Sequence, residues 1–330
     1  MKTLSQLQPG EVANGYVLLV ERSRGSTREG KPYFTCRFRD AERTASVMVW
    51  ADSVWFESCE KEWREGEFYK IEAVYGEHER YGPQLDLRAL RPVNEEDYQR
   101  GFQPSAFLPS RRHDPAALFS ELVGLVEGQI ADEPLRRLVL ALLNRHREAF
   151  VQRPASLRRF YPFPGGLVEH TLSVAKNCVF LAEKYREQFP ELNPPLNKDL
   201  IIAGAALHDL GRVLEIDDDL FAPQQTIPGR FFGHLFLGRD MVRDMASEFG
   251  DVHPELLLML EHIIVTHLTL PEWGSPRLPL IPEVIVLHHA DDLDAKMEMY
   301  VRCLTEDKAD GPFTDREPGL NRQLFKGRTV

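Results

Sequence analysis

Eight of the eleven histidines fall between residues 170 and 289, and their spacing points to coordination chemistry. His170 lies in Gly165-Gly-Leu-Val-Glu-His-Thr-Leu, three residues after Leu167 and four before Val174. On a helix it therefore shares the apolar face of those residues, Cys178 and Leu181. His208 and Asp209 form a doublet behind the small-residue run Ala203-Gly-Ala-Ala, with Gly211 placed to end that helix. Successive helical residues point about 100° apart, yet near a helix end an adjacent His and Asp can both reach one ion. Asp291 and Asp294 lie on a third helix face, in line with Val284 and Leu287. A buried Asp costs several kcal/mol unless it is paired or coordinated. Three inward faces that carry His or Asp therefore ask for a cation. Imidazole nitrogen mixed with carboxylate oxygen suits Mn²⁺, Fe²⁺, Zn²⁺ or Mg²⁺, and excludes a thiolate site.

The order His170, His208-Asp209, Asp291 resembles that of the HD-domain metal-dependent phosphohydrolases. In that superfamily the first His, the doublet and the final Asp bind one metal. His234, in Phe232-Gly-His-Leu, and His267, in Ile264-Val-Thr-His-Leu, fall where members with a second metal carry two more histidines. The strings GGLVEHTLSVA, HDLGR, GHLFLGRDMV, THLTLPEWGSP, ADDLDAKM and FTDREPGLNRQLFK further resemble the YhaM-type 3′→5′ exoribonucleases. The segment Pro271 to Pro276 is the most specific of these, because metal binding alone does not require it. Three positions depart from that pattern. Phe160-Tyr161 stands where a His pair is frequent, Arg212 where Lys is usual, and Leu268 where a second His often follows.

The resemblance implies two divalent ions per chain, Mn²⁺ first, with Mg²⁺, Fe²⁺ or Co²⁺ as alternatives. His170, His208 and Asp291 would hold one, His234 and His267 the other, with Asp209 bridging. Such ions lower the pKa of a shared water, so that hydroxide attacks phosphorus at neutral pH. Asp294, one turn from Asp291, would orient a ligand or the water. Arg212 and Lys296 would neutralise phosphate charge. His262 lies five residues before His267, off the same face, and His267 is the expected ligand.

These helices must be positioned by a domain, and the chain reads as two. Residues 1 to 94 alternate like strands: Val12 to Val20, Tyr33 to Asp40, Thr44 to Trp50, Phe68 to Tyr75 and Gln84 to Arg91. A helix-compatible stretch, Ala51 to Lys61, separates the third from the fourth. That order is the order of an OB-fold. Residues 95 to 115, with Pro104, Pro109 and Arg111-Arg112-His113, read as a linker; residues 116 to 305 as an all-helical HD domain; and residues 306 to 330 as an irregular tail. The expected fold is thus multidomain, a small all-β OB-fold barrel followed by an all-α HD domain.

The whole chain is acidic, with 40 Lys and Arg against 51 Asp and Glu. Nucleic acid would need a local basic groove. Residues 1 to 50 hold eight Lys or Arg against five Asp or Glu, with Tyr16, Tyr33, Phe34, Trp50 and Tyr75 nearby. Single-strand binders stack bases on such rings. Tyr33 is the best exposed platform, and Arg37 and Arg39 share its face. The chain is 43% hydrophobic, with no signal-peptide core or membrane span. Its four cysteines have no paired spacing, so it reads as cytoplasmic with reduced thiols. The expected activity is a 3′→5′ exonuclease on single-stranded RNA, possible also on single-stranded DNA and in a homo-oligomer. The competing readings are a hydrolase of small nucleotides and a non-catalytic adaptor with a structural metal.

Overall fold

The computed structural model describes residues 4–40, 43–78, 82–108, 113–307, 309–316 and 319–327. Two compact units emerge, Met1–Ser110 with Asp219–Pro223, and Arg111–Asp218 with Gln224–Val330. The first holds strands β1 (Val12–Ser26), β2 (Pro32–Arg39), β3 (Thr44–Trp50), β4 (Phe68–His78) and β5 (Gly82–Pro92). Helix α1 (Phe56–Lys61) stands between β3 and β4. The strands close into a barrel in the order β1-β2-β3-β5-β4. All pairings are antiparallel except β3 with β5, which meet in parallel at Ser46 and Gln84.

Period-two alternation places Phe34, Cys36 and Phe38 of β2 and Ala45, Val47 and Val49 of β3 inside the barrel. Cys59 of α1 and Trp63 behind it complete that core. β1 runs to Ser26, beyond the expected end at Val20, through residues that read as a turn. The reason is topological. Val12 to Leu18 pairs with β4, Leu18 to Ser26 pairs with β2, and an irregularity between Leu19 and Glu21 bends the strand from one partner to the other. Gly25 lies in the second stretch because the Tyr33 ring crosses it. A Cβ at residue 25 would sit 2.5 Å from Tyr33 Cζ.

Residues 95–115, expected as a linker, are partly ordered. They contain α2 (Glu95–Gln99) and a 3-10 turn (Pro104–Phe107) whose Phe102 and Phe107 pack on Leu18. Arg111-Arg112 lie outside the described residues. Asp97 in α2 is fully buried. It accepts from Arg91 Nη1 and Nη2 at 2.6 and 2.7 Å, from the Asn94 N–H at 3.0 Å and from Tyr16 Oη at 3.1 Å. The Asn94 side chain returns the capping bond to the Asp97 N–H.

The second unit is helical: α3 (Pro115–Gln129), α4 (Glu133–Arg145), α5 (Arg147–Gln152), α6 (Gly166–Gln188), α7 (Lys198–Leu207), α8 (Arg212–Glu215), α9 (Ile227–Phe249), α10 (Pro254–Thr266) and α11 (Pro282–Glu306). Its core is one cluster in which every residue from Leu200 to Leu207 is buried. The side chains of α7 are small between Ala203 and Ala206, so α6, α10 and α11 close around it. The tail, expected as irregular, is pinned by a bridge between Phe313 and Phe325, with Leu324 buried. Among the described residues no helix is long and apolar enough to cross a membrane.

The Arg91 contacts outweigh burial and, with the Asn94 N–H, hold the Asp97 carboxyl well below the usual range. A depressed carboxyl stabilises the folded state above its unfolded pKa of about 3.9 and loses that contribution as pH falls. Asp97→Asn should therefore lower the melting temperature of the barrel at pH 7. The gap to the unsubstituted protein should narrow as pH is taken below about 4. Thermal melts followed by tyrosine and tryptophan fluorescence across that range check it; a constant gap at all pH values would contradict it.

Candidate metal centre

Four imidazoles meet in the helical unit, and each is held by its Nδ1. His170, inside α6, donates Nδ1–H to Asp294 Oδ2 of α11 at 2.8 Å. His208 caps α7 and donates Nδ1–H to the Ala205 carbonyl at 2.8 Å. His267 caps α10 and donates in the same way to the Ile264 carbonyl at 2.8 Å. His234 directs Nδ1 at Glu215 Oε2 of α8, 3.3 Å away. A carbonyl can only accept, so the proton is on Nδ1 in His208 and His267, and the Nε2 lone pairs are left for the centre.

Those Nε2 atoms converge on two carboxylates. His170 Nε2 lies 3.0 Å from Asp291 Oδ1 and 3.4 Å from His208 Nε2. His208 Nε2 is 3.9 Å from both Asp209 Oδ2 and Asp291 Oδ1. His234 Nε2 lies 3.3 Å from Asp209 Oδ1. Donor atoms of His170, His208 and Asp209 all fall within 4.8 Å of one another, and so do those of Asp209, His234 and His267. Asp209 belongs to both groups.

Helix ends produce this geometry. His208 and His267 each follow the last turn of a helix, where carbonyls lack intrahelical partners, and the rings take those carbonyls up. His234 needs a different device. Gly233 breaks α9 with φ 63° and ψ 169°, and this kink turns His234 inward. Arg212 reaches Asp209 Oδ1 at 3.3 Å and Glu215 Oε2 at 2.7 Å. It therefore buttresses two acids of the site.

The electrostatics favour charge separation inside the cluster. Burial opposes a charge on His170, but hydrogen bonds to Asp291 and Asp294 overcome it and raise its pKa to about 10. Burial, the larger cause, and the neighbouring His208 lower His267 to about 3, so that ring is neutral. Asp209 works against burial and is held far below the ordinary range by Arg212, His234 and His208. Glu215, likewise against burial, is held at about 2 by His234 and Arg212.

The residues fit a divalent cation. His234 Nε2 is fully buried with no hydrogen-bond partner, which is costly for a nitrogen unless something else fills its lone pair. Neutral imidazoles with carboxylates, and no thiolate, form a donor set for borderline to hard divalent ions. Such an ion supplies Lewis acidity and acidifies water at the open side of the site.

The expected ligands His170, His208, Asp209, His234, His267 and Asp291 are all in this cluster. Asp294 is beside it, and its placement is specific: it orients His170 and also accepts from Ser173 Oγ. His262 is elsewhere, its Nε2 accepting from the Leu280 N–H at 3.0 Å. Lys296 lines the pocket but pairs with Asp292 at 2.7 Å. In the barrel, Tyr33 lies 5.3 Å from the ring of Trp50, which is 47% exposed. Arg37 is exposed and 3.5 Å from Glu21. Arg39 is not free on that face, because Nη2 donates to the Phe107 carbonyl at 3.1 Å. Tyr75 and Phe34 are core residues, and Tyr16 packs on Phe102.

Sequence reasoning missed Glu215, Tyr161 and Glu298. Tyr161 takes a positive φ of 43° so that its ring can lie 5.5 Å from His170. Its N–H donates to Glu298 Oε2 at 3.1 Å. Glu298 falls one turn after Asp294, and Glu215 one turn after Arg212. That i, i+4 and i, i+3 spacing was the available signal.

Residues 167–296 match the family model described as HD domain, a domain of metal-dependent phosphohydrolases. Among solved structures, 42% of this chain is similar to 33% of the asparaginyl-tRNA synthetase from Pyrococcus horikoshii, at 15% identity and a TM-score of 0.22. A likeness of that size carries no argument about fold or function.

Ligand histidines lose affinity for metal when their outer carboxylate partner is removed, commonly about 10–100-fold. Asp294→Asn should weaken divalent-metal binding by that order, measured by competition with a chromogenic chelator. Cation binding through His170 Nε2 is expected to displace a proton, because Asp291 and Asp294 push the pKa of that ring up to about 10. Calorimetry at pH 7 in buffers of different ionisation enthalpy should show about one proton released per chain. Equal affinity of the variant, or no net proton release, would contradict this description.

Proposed function

We propose that this protein is a metal-dependent 3′→5′ exonuclease that hydrolyses single-stranded RNA. Residues 116–305 form its catalytic HD domain, and residues 1–94 an OB-fold that holds the strand. The observation that carries the hydrolase part is the shared carboxylate: Asp209 contributes to both donor groups. Phosphodiester hydrolysis needs electrophilic help at a phosphoryl oxygen and an acidified water next to it. Divalent ions held by His170, His208, Asp209, His234, His267 and Asp291 would supply both.

The chain's own residues do the rest. Asp294 fixes the ring of His170, and the Ala205 and Ile264 carbonyls fix those of His208 and His267. Nothing needs to reorganise when charge develops at phosphorus. Arg212 keeps Asp209 ionised and in place. The pocket above these residues has a volume of about 680 Å³, room for the end of a single strand. The 3′→5′ polarity and the RNA preference are supported by the motif resemblance, Pro271 to Pro276 above all. The Tyr33–Trp50 ring pair with Arg37 supports strand binding by the barrel. The four cysteines are free thiols, in keeping with work in a reducing cytoplasm.

The pocket volume also favours a second reading, hydrolysis of a small nucleotide, since about 680 Å³ lies inside the usual range for small-molecule sites. Comparing labelled RNA with free nucleotides as substrates, with Mn²⁺ and other divalent ions, separates the two. Mononucleotide release from the 3′ end is expected; its absence under every metal would remove the nuclease reading.

Asp209→Asn keeps the shape of the side chain and loses the anionic charge that both donor groups share. Turnover should fall by at least about a thousandfold while long RNA still binds. Tyr33→Ala combined with Arg37→Ala should give the opposite pattern, with weaker binding of a long strand and near-normal cleavage of a dinucleotide. Single-turnover cleavage of both substrates by each folded variant is the measurement. Robust cleavage by Asp209→Asn would refute the metal role, and equal losses on both substrates in the barrel variant would refute the division of labour.

A further inference from the structure

One motif remains without a role in the metal centre. Pro271-Glu-Trp-Gly-Ser-Pro276 supplies none of the donor atoms, yet Glu272 and Trp273 line the pocket above them. Trp273 is 50% exposed, so part of its indole is open to a ligand in the pocket. One neighbour is already in place: the ring of His288 lies 5.8 Å away at an interplanar angle of 28°. His288 is itself fixed, donating Nδ1–H to the His267 carbonyl at 2.8 Å. The loop under the indole is a 3-10 turn closed by Trp273 N–H to the Leu270 carbonyl at 3.0 Å and Ser275 N–H to the same carbonyl at 3.2 Å. Trp273 is thus an aromatic shelf that stacks on His288, whose own ring is held by the His267 carbonyl.

The cations around the pocket fall into two kinds. Arg212 and Lys296 are paired with acids. Arg159 and Arg322 are exposed, line the same pocket, and have no acidic partner among the described residues. Both are nonetheless positioned. The Arg159 N–H donates to Ser156 Oγ at 2.9 Å, and the Arg159 carbonyl accepts from Arg302. Arg322 Nε donates to the Leu320 carbonyl at 3.1 Å. Its segment is anchored by the Thr314 N–H to the Leu324 carbonyl at 2.9 Å, with Leu324 buried. The C-terminal tail is therefore a wall of the pocket. A planar guanidinium without a carboxylate partner matches a phosphate in bidentate fashion.

We propose that the mouth of this pocket is a nucleotide-end subsite, in which Trp273 stacks the base and Arg159 with Arg322 holds a phosphate. The inference rests on the hydrolase reading above and names the residues that would select its substrate. A base and a phosphate are the two parts of a nucleotide that an indole and a guanidinium pair recognise separately. The subsite therefore requires both.

The test uses the full chain loaded with Mn²⁺, titrated with AMP and with ribose 5-phosphate, which lacks the base. AMP should bind more tightly than ribose 5-phosphate and quench indole fluorescence, and that quench should vanish in Trp273→Phe. Trp273→Ala should weaken AMP about fivefold or more and leave ribose 5-phosphate unchanged. Arg159→Ala with Arg322→Ala should weaken both ligands, and Arg159→Lys with Arg322→Lys should retain part of the affinity. Equal affinity for the two ligands in the unsubstituted protein, or unchanged AMP affinity in Trp273→Ala, would overturn the subsite. Failure of the nuclease reading looks different. In that case AMP behaves as described while labelled RNA stays intact. RNA cleaved by Trp273→Ala with an unchanged KM would instead remove the subsite and leave the nuclease.

Discussion

Everything in the helical unit follows from anchoring four imidazoles by their outer nitrogens. Each Nδ1 faces a fixed acceptor: Asp294, Glu215, or a carbonyl three residues earlier. Each Nε2 then points at Asp209 or Asp291, or at a neighbouring Nε2. Ring rotation would exchange these roles, and the outer bonds forbid it. What remains is a buried ring of lone pairs around two carboxylates, a group that no apolar interior tolerates without positive charge. In the metal-free protein the charge is a proton on His170 and the guanidinium of Arg212. The same site is therefore a competition between a proton and a cation.

The helices are arranged to keep that cluster rigid at modest cost. A buried carboxylate held by several donors is expensive to dislodge but adds little net stability. The helical core supplies the stability: α7 is buried from Leu200 to Leu207, and α6, α10 and α11 pack against it. Ligands at the ends of α7 and α10 consume carbonyls that would otherwise lack partners. Those two histidines therefore satisfy helix ends and define the centre with the same bonds.

Much of this could be read from residue spacing, and the exceptions share a cause. His170, the His208-Asp209 doublet and Asp291 stand out because inward-facing polar residues on apolar helical faces are rare. His267 could be preferred to His262 because five residues is off-phase, and His262 indeed bonds to the Leu280 N–H. Asp294 was expected to orient a ligand or the water; that the ligand is His170, 124 residues away, is set by the packing of α6 on α11. Glu215 and Tyr161 were missed because their partners His234 and Glu298 come from other helices. In the barrel the alternation revealed every strand. It did not reveal that β1 continues through Arg22, Arg24 and Gly25, since a strand that serves two partners needs a bend the sequence writes like a turn. Nor could it distinguish Tyr75, fully buried, from Tyr33, since alternation does not say which face a ligand uses.

The charge layout of the pocket gives this site an order of events. Its floor carries Asp209 and Asp291, while Arg159 and Arg322 stand at its mouth, on a chain whose formal net charge is −11. In the metal-free protein the cations that face these carboxylates are His170 and Arg212, each already paired with them. Divalent cations held by the same donors would add positive charge that is free to meet a phosphate. The rim guanidinium groups keep theirs whether or not metal is bound, because their charge does not depend on the cluster. Under the proposed hydrolase reading, an anionic ligand would be favoured over these carboxylates once metal is bound, and the field of the two aspartates would couple metal occupancy to phosphate placement.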